Sequence, residues 1–101
     1  MYYIENKEIL LIDPKKFGLS PRTAIGQLSR KHLVIIKDRK SRIIMKDGTQ
    51  ILEQINLIKG NESVKKISVA TNAPVCSKTT FFFKERGIEI FVLDKSINVI
   101  G

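Results

Sequence analysis

From Lys65 to Leu93 the chain reads KKISVATNAPVCSKTTFFFKERGIEIFVL, and this stretch narrows the fold more than any other. Lys65 to Thr71 alternates, with Ile67 and Val69 on one side, the period of a strand. Asn72-Ala73-Pro74 breaks that period, Ser77 is a good N-cap, and the helix it predicts runs through Arg86 to a stop at Gly87. Ile88, Ile90 and Val92 then alternate with Glu89, Phe91 and Leu93. Both sides of that run are mostly apolar, which predicts a buried central strand. Strand, helix and strand in this order predict a right-handed βαβ crossover with parallel strands.

The remainder reads as scaffold around that unit. Two short apolar stretches flank Glu5-Asn6-Lys7-Glu8 between Tyr2 and Ile12, predicting a hairpin or one bent strand closed by Asp13-Pro14. Ser20-Pro21 pairs a serine N-cap with proline at the first helical position and predicts a helix to Arg30, with Ala24, Ile25 and Leu28 on one face. Gly26 weakens that helix and marks a close packing contact. Leu33 to Ile36 and Ile43 to Met45 predict a second hairpin, joined by the cationic connection Lys37-Asp38-Arg39-Lys40-Ser41-Arg42 and ended by Asp47-Gly48. Thr49 is placed to cap a helix carrying Ile51, Leu52, Ile55 and Ile58 at helical spacing, and Gly60 stops it. Asn61-Glu62-Ser63 is the following loop, and Ile97 to Ile100 predict an edge strand after a turn at Asp94-Lys95-Ser96. The sum is an α/β chain with residues 1–101 in a single domain, a mixed β-sheet with about three helices, and a right-handed βαβ unit at its end.

A chain of 101 residues suffices for one core. Its net charge of +8 attracts polyanions, so nucleic acid, nucleotides or an acidic protein surface are the partners to consider. The apolar runs fall far short of the roughly 20 residues a membrane helix needs, and Glu5, Lys7 and Glu8 interrupt any leader-like pattern. A cytoplasmic protein without a membrane partner is the expectation. A lone cysteine, Cys76, forms no intramolecular disulfide and fits a reducing compartment. One cysteine and one histidine fall short of a transition-metal ligand set, and neither GxxxxGKS/T nor GxGxxG occurs, so no metal or cofactor is expected.

Two constellations carry chemistry. The loop Thr71 to Thr80 leaves the carboxyl end of a parallel strand, where ligands usually bind, and the helix beginning there offers unpaired backbone N–H groups to an anion. Ser77, Thr79 and Thr80 add hydroxyls, and Lys78 has the wrong sign for the helix dipole unless an anion compensates it. Cys76, at a helix N-terminus beside a lysine, should have a lowered pKa. Its alternative is to pack as a small hydrophobe. In the second constellation, Arg39, Lys40 and Arg42 on an exposed connection can neutralise phosphates along a nucleic-acid backbone. Aromatic interleaving, which would add base stacking, is missing from that connection.

The pattern Pro74-x-Cys76-x-x-Thr79, followed by Phe83-Lys84-Glu85-Arg86-Gly87-Ile88-Glu89-Ile90, resembles the first strand–helix–strand of glutaredoxin-like proteins. Thr79 stands where a second cysteine would be expected. The order helix–hairpin–helix–strand, with Asp38 and Asp47 flanking the second strand pair, resembles the restriction-endonuclease-like nucleases in outline, although no Glu-x-Lys follows the hairpin. Three readings follow: a non-catalytic nucleic-acid or polyanion-binding domain using Arg39, Lys40, Arg42 and Lys78; a thiol-dependent or anion-binding site at Cys76, Ser77, Lys78 and Thr79; and an interaction subunit pairing through the edge at Ile97 to Ile100, including with a second copy.

Overall fold

A computed structural model describes residues 1–61 and 63–95. The edge strand expected at Ile97 to Ile100 lies outside them. The fold begins with a small antiparallel hairpin of β1 (Tyr3–Ile4) and β2 (Lys7–Glu8), joined by Glu5 and Asn6 at φ 50° and 66°. Two left-handed central residues give the tight turn whose twist matches paired strands. Next come β3 (Leu10–Ile12), a 3₁₀ turn at Pro14–Phe17 capped by Asp13, β4 (Ala24–Ser29) and β5 (His32–Lys37). The rest alternates: α1 (Met45–Lys59), β6 (Lys66–Thr71), α2 (Ser77–Glu85) and β7 (Ile90–Val92).

Among the described residues the main sheet is mixed, with five strands in the order β3-β4-β5-β6-β7. β3, β4 and β5 pair antiparallel, whereas β5 with β6 and β6 with β7 pair parallel. Alternation along the central strands separates two apolar layers. Leu33, Ile35, Ile67 and Val69 face Ile51, Ile55 and Ile58 of α1 and Phe83 of α2, while Val34, Ile36 and Ala70 pack under Ile4 and Ile9 of the N-terminal hairpin. Both helices therefore lie on one face and the small hairpin on the other. The hairpin is fastened by a backbone bridge in which Tyr3 and Asp94 exchange hydrogen bonds of 2.7 and 2.9 Å.

Four expectations are corrected. The helix expected from Pro21 to Arg30 is strand β4. Its local signal is real but short: the Thr23 N–H donates to Ser20 O at 2.9 Å and the Arg22 N–H to Ser20 Oγ at 3.2 Å, closing a turn. Beyond that turn, pairing with strands on both sides decides the backbone, and Gly26 is a packing contact within a sheet. The strand expected at Ile43 to Met45 is reduced to a single parallel bridge between Ile43 and Val75, so residues 38–44 form the loop from β5 into α1 and the cationic connection is not a hairpin tip. α1 starts four residues before Thr49, with Asp47 and Gly48 inside it: the Asp47 carboxylate accepts the Ile44 N–H at 2.9 Å, and Gly48 is buried against Thr79 and Phe83. Among the described residues the strand expected to be central, β7, lies at the edge with Val92 73% exposed; its two-sided apolarity serves α2 on one face and the small hairpin on the other. Among the described residues two α-helices and a 3₁₀ turn stand where about three helices were expected.

The turn between β4 and β5 holds Lys31 at φ 67°, a left-handed conformation that L side chains other than Asn and Asp adopt reluctantly. Its carbonyl is fixed by the N–H groups of Lys65 and Lys66 at 2.9 and 3.1 Å. Lys31→Gly is expected to stabilise the fold by about 0.5–1 kcal/mol, the left-handed penalty outweighing the added freedom of the unfolded chain. A rise in thermal midpoint checks this, and a fall contradicts it.

Candidate functional site

The loops after β5, β6 and β7 meet at the carboxyl end of the parallel strands, because parallel pairing points all three ends the same way. The cationic segment 37–42 and the Cys76 loop are thereby neighbours. Ile43 N–H donates to Pro74 O at 2.8 Å and Cys76 N–H to Ile43 O at 3.0 Å, which splices the two segments together.

Asp38 and Asn72 knit this end. The Asp38 carboxylate accepts from Asn72 Nδ2 at 2.9 Å, from the Tyr2 hydroxyl at 3.1 Å, and pairs with Lys95 at 3.2 Å. These donors, Asn72 first, hold its pKa below the usual carboxylate range. Asn72 Oδ1 in turn accepts the Arg39 N–H at 3.0 Å, and Thr71 Oγ1 donates to Lys37 O at 2.8 Å.

Arg39 faces inward. Its guanidinium bridges both oxygens of Asp47, with Nη1 to Oδ1 at 3.1 Å, and also donates to the carbonyls of Ser41 and Arg42 at 3.2 and 3.0 Å. This planar fork closes the loop onto the first turn of α1. The Arg39 side chain and the Ile44 N–H hold the Asp47 pKa low. A depressed carboxylate pKa contributes stability that is complete above the unfolded value of about 4 and is lost as pH falls through the folded value. Asp47→Asn is expected to flatten the acid limb of stability against pH, read as the urea midpoint between neutral pH and the acid range. An unchanged acid limb contradicts this role.

Lys40, Arg42 and Lys78 point outward. All three are exposed, and among the described residues none forms an ion pair. The first turns of α1 and α2 open toward the same end, adding the positive ends of two helix dipoles. Phe81 is 62% exposed one helical turn beyond Lys78, and Ile44 is 48% exposed at the start of α1. Half-buried Met45 and Phe82 join Lys78 and Phe81 in lining one shallow depression, with the Arg86 guanidinium 3.8 Å from the centre of the Phe82 ring.

Cys76, not Ser77, caps α2. Its sulfur accepts the Thr79 N–H at 3.4 Å and lies 2.8 Å from Thr79 Oγ1, while exposed Ser77 becomes the first helical residue. Thr79 is fully buried beside Gly48, so its hydroxyl serves the thiol and not the solvent. The Thr79 hydroxyl and N–H, then the Lys78 N–H and the Arg42 charge, lower the thiol pKa. The alkylation rate of Cys76 should therefore reach half-maximum below the pH of an ordinary free cysteine, and Thr79→Val should move that midpoint up. A midpoint at or above the ordinary value in the parent contradicts the hydrogen-bond account.

Asp38 and Asp47 are each satisfied within the chain, and among the described residues no three His, Cys, Asp or Glu side chains gather as metal ligands. His32 lies at the opposite end of β5. Its Nε2 is 2.8 Å from Ser68 Oγ, and burial followed by the nearby Lys66 lowers its pKa. Among the described residues no helix is long and apolar enough to cross a membrane. Comparison with protein-family models, with curated proteins and with solved structures found no match.

Sequence reasoning missed the roles of Asp38, Asp47 and Asn72 in holding this end together. A signal for Asp47 was present: an acid three residues into a helix that returns to the N-cap N–H, here that of Ile44.

Proposed function

We propose that the chain is a non-catalytic, cytoplasmic binding domain for single-stranded nucleic acid, engaged through the carboxyl end of its parallel strands. The observation that carries this reading is the convergence of exposed Lys40, Arg42 and Lys78 on one end where Asp38 and Asp47 are already held by internal partners. Cations exposed together at one end suit the phosphates of a nucleic-acid backbone. Phe81 adds what the cationic segment lacks in sequence, an exposed aromatic face on which a splayed base can stack. Arg39 takes the role of positioning residue: it shapes the loop that presents Lys40 and Arg42. Exposed Ser77 supplies a further hydroxyl donor to a phosphate, while the Thr79 hydroxyl and N–H are taken up by Cys76.

Fluorescence anisotropy with a labelled single-stranded RNA tests the reading. Arg42→Ala and Lys78→Ala should each weaken binding about three- to tenfold, and Phe81→Ala about tenfold, from the usual worth of phosphate and stacking contacts. Thermal midpoints should stay within a few degrees, since all three side chains are exposed. Affinity unchanged in all three variants refutes the site.

The lowered pKa of the half-buried Cys76 favours a second reading, a thiol-dependent site at the same end. Cys76→Ser separates the two: RNA affinity should stay unchanged under the first reading, and a loss of RNA affinity in this variant favours the second.

A further inference from the structure

The amino end of the parallel strands carries a different feature, a cleft of about 370 Å³ between the 3₁₀ turn, the β4–β5 turn and the segment following α1. Phe17, Leu33 and Val64 give it an apolar floor continuous with the main core. Lys16, Arg30 and Lys31 stand exposed along its rim. Among the described residues no carboxylate lines it and none of the three cations is ion-paired. Lys31 also occupies a left-handed position that glycine or asparagine would fill with less strain, and strain of this kind concentrates at functional sites.

We propose that this cleft binds a small amphipathic anion: a compact aromatic body bearing a single carboxylate, sulfonate or phosphate. The volume lies at the small end of ligand pockets, which span about 300–1,000 Å³. An apolar floor with a few placed polar groups is the usual make-up of such sites. A purely apolar ligand would leave three cations crowded at its edge without gain. A bare inorganic anion would leave Phe17 and Val64 uncovered. Only a molecule with both parts uses floor and rim together. The site is separate from the nucleic-acid end, because β5 has six residues and places Lys31 and Arg39 about 20 Å apart at its two ends.

Anilinonaphthalene sulfonate and its uncharged counterpart phenylnaphthylamine share the ring system and differ in the anionic group, so they test both halves of the proposal in the intact chain. The sulfonate should bind at one saturable site by fluorescence titration, and the neutral dye about tenfold or more weakly, as expected of a charge-assisted contact. The double variant Arg30→Gln, Lys31→Gly should weaken sulfonate binding at least about tenfold while remaining folded by circular dichroism, because glycine relieves the turn. Arg42→Ala should leave dye affinity unchanged. Equal affinity for the two dyes, persistence of binding in the double variant, loss of binding in Arg42→Ala, or absence of a saturable site overturns the proposal. None of these outcomes bears on RNA affinity, so the two sites stand or fall separately.

Discussion

Gly26→Val is expected to lower the unfolding free energy by about 3 kcal/mol and to loosen the N-terminal hairpin from the sheet. A Cβ at position 26 would sit 2.1 Å from Ile9 Cγ2 and 3.2 Å from Ile36 Cδ1. The first distance is far inside any van der Waals contact, and Ile9 Cγ2 hangs directly from its own Cβ, so no rotation of a distant atom relieves it. Ile9 follows β2, and its position is tied by a 2.8 Å hydrogen bond from its N–H to Tyr2 O. Either β4 moves or the hairpin lifts, uncovering Val34, Ile36 and Ala70. Urea unfolding reads the loss. In a double-mutant cycle, Ile9→Ala should recover part of the cost of Gly26→Ala, because the two residues compete for one volume. Additive effects contradict the contact.

Arg39→Ala is expected to cost about 2–3 kcal/mol and, by releasing the loop that presents Lys40 and Arg42, to weaken RNA binding as well. The side chains of Arg39 and Asp47 are 32% and 22% exposed, so the pair is neither fully screened nor fully desolvated, and the figure lies below that of a buried pair. Removal strands the Asp47 carboxylate and the carbonyls of Ser41 and Arg42 together. Arg39→Lys should recover little of the loss, since an ammonium cannot span two carboxylate oxygens and two carbonyls in one plane. Full recovery by lysine contradicts the fork geometry.

The parts of this fold that depend on local chemistry were legible. Lys66–Thr71, the helical spacing of Ile51, Ile55 and Ile58, and the stop at Gly87, whose φ is 69°, follow from period and glycine conformation, whereas Gly60 ends α1 in a right-handed conformation open to any residue. Residues 24–29 were not legible, because Ser20-Pro21 is an honest turn signal whose continuation is decided by neighbours distant in sequence. The same limit hid the place of β7 at the edge among the described residues: apolarity on both sides reports that both are covered, not by what. At the candidate site, the charges and the cysteine were readable one by one. Their convergence was not, since it depends on β5 and β6 ending side by side. Exposed Phe81 was likewise indistinguishable in sequence from Phe83, which is fully buried two residues later.

The most direct test of a phosphate-binding end is the salt dependence of RNA affinity in the parent chain and in the triple variant Lys40→Gln, Arg42→Gln, Lys78→Gln. Three phosphate contacts to a single strand predict a log–log slope of about −2, and the triple variant should lose most of that slope along with the affinity. A parent slope near zero, or a triple variant that keeps both slope and affinity, contradicts the account.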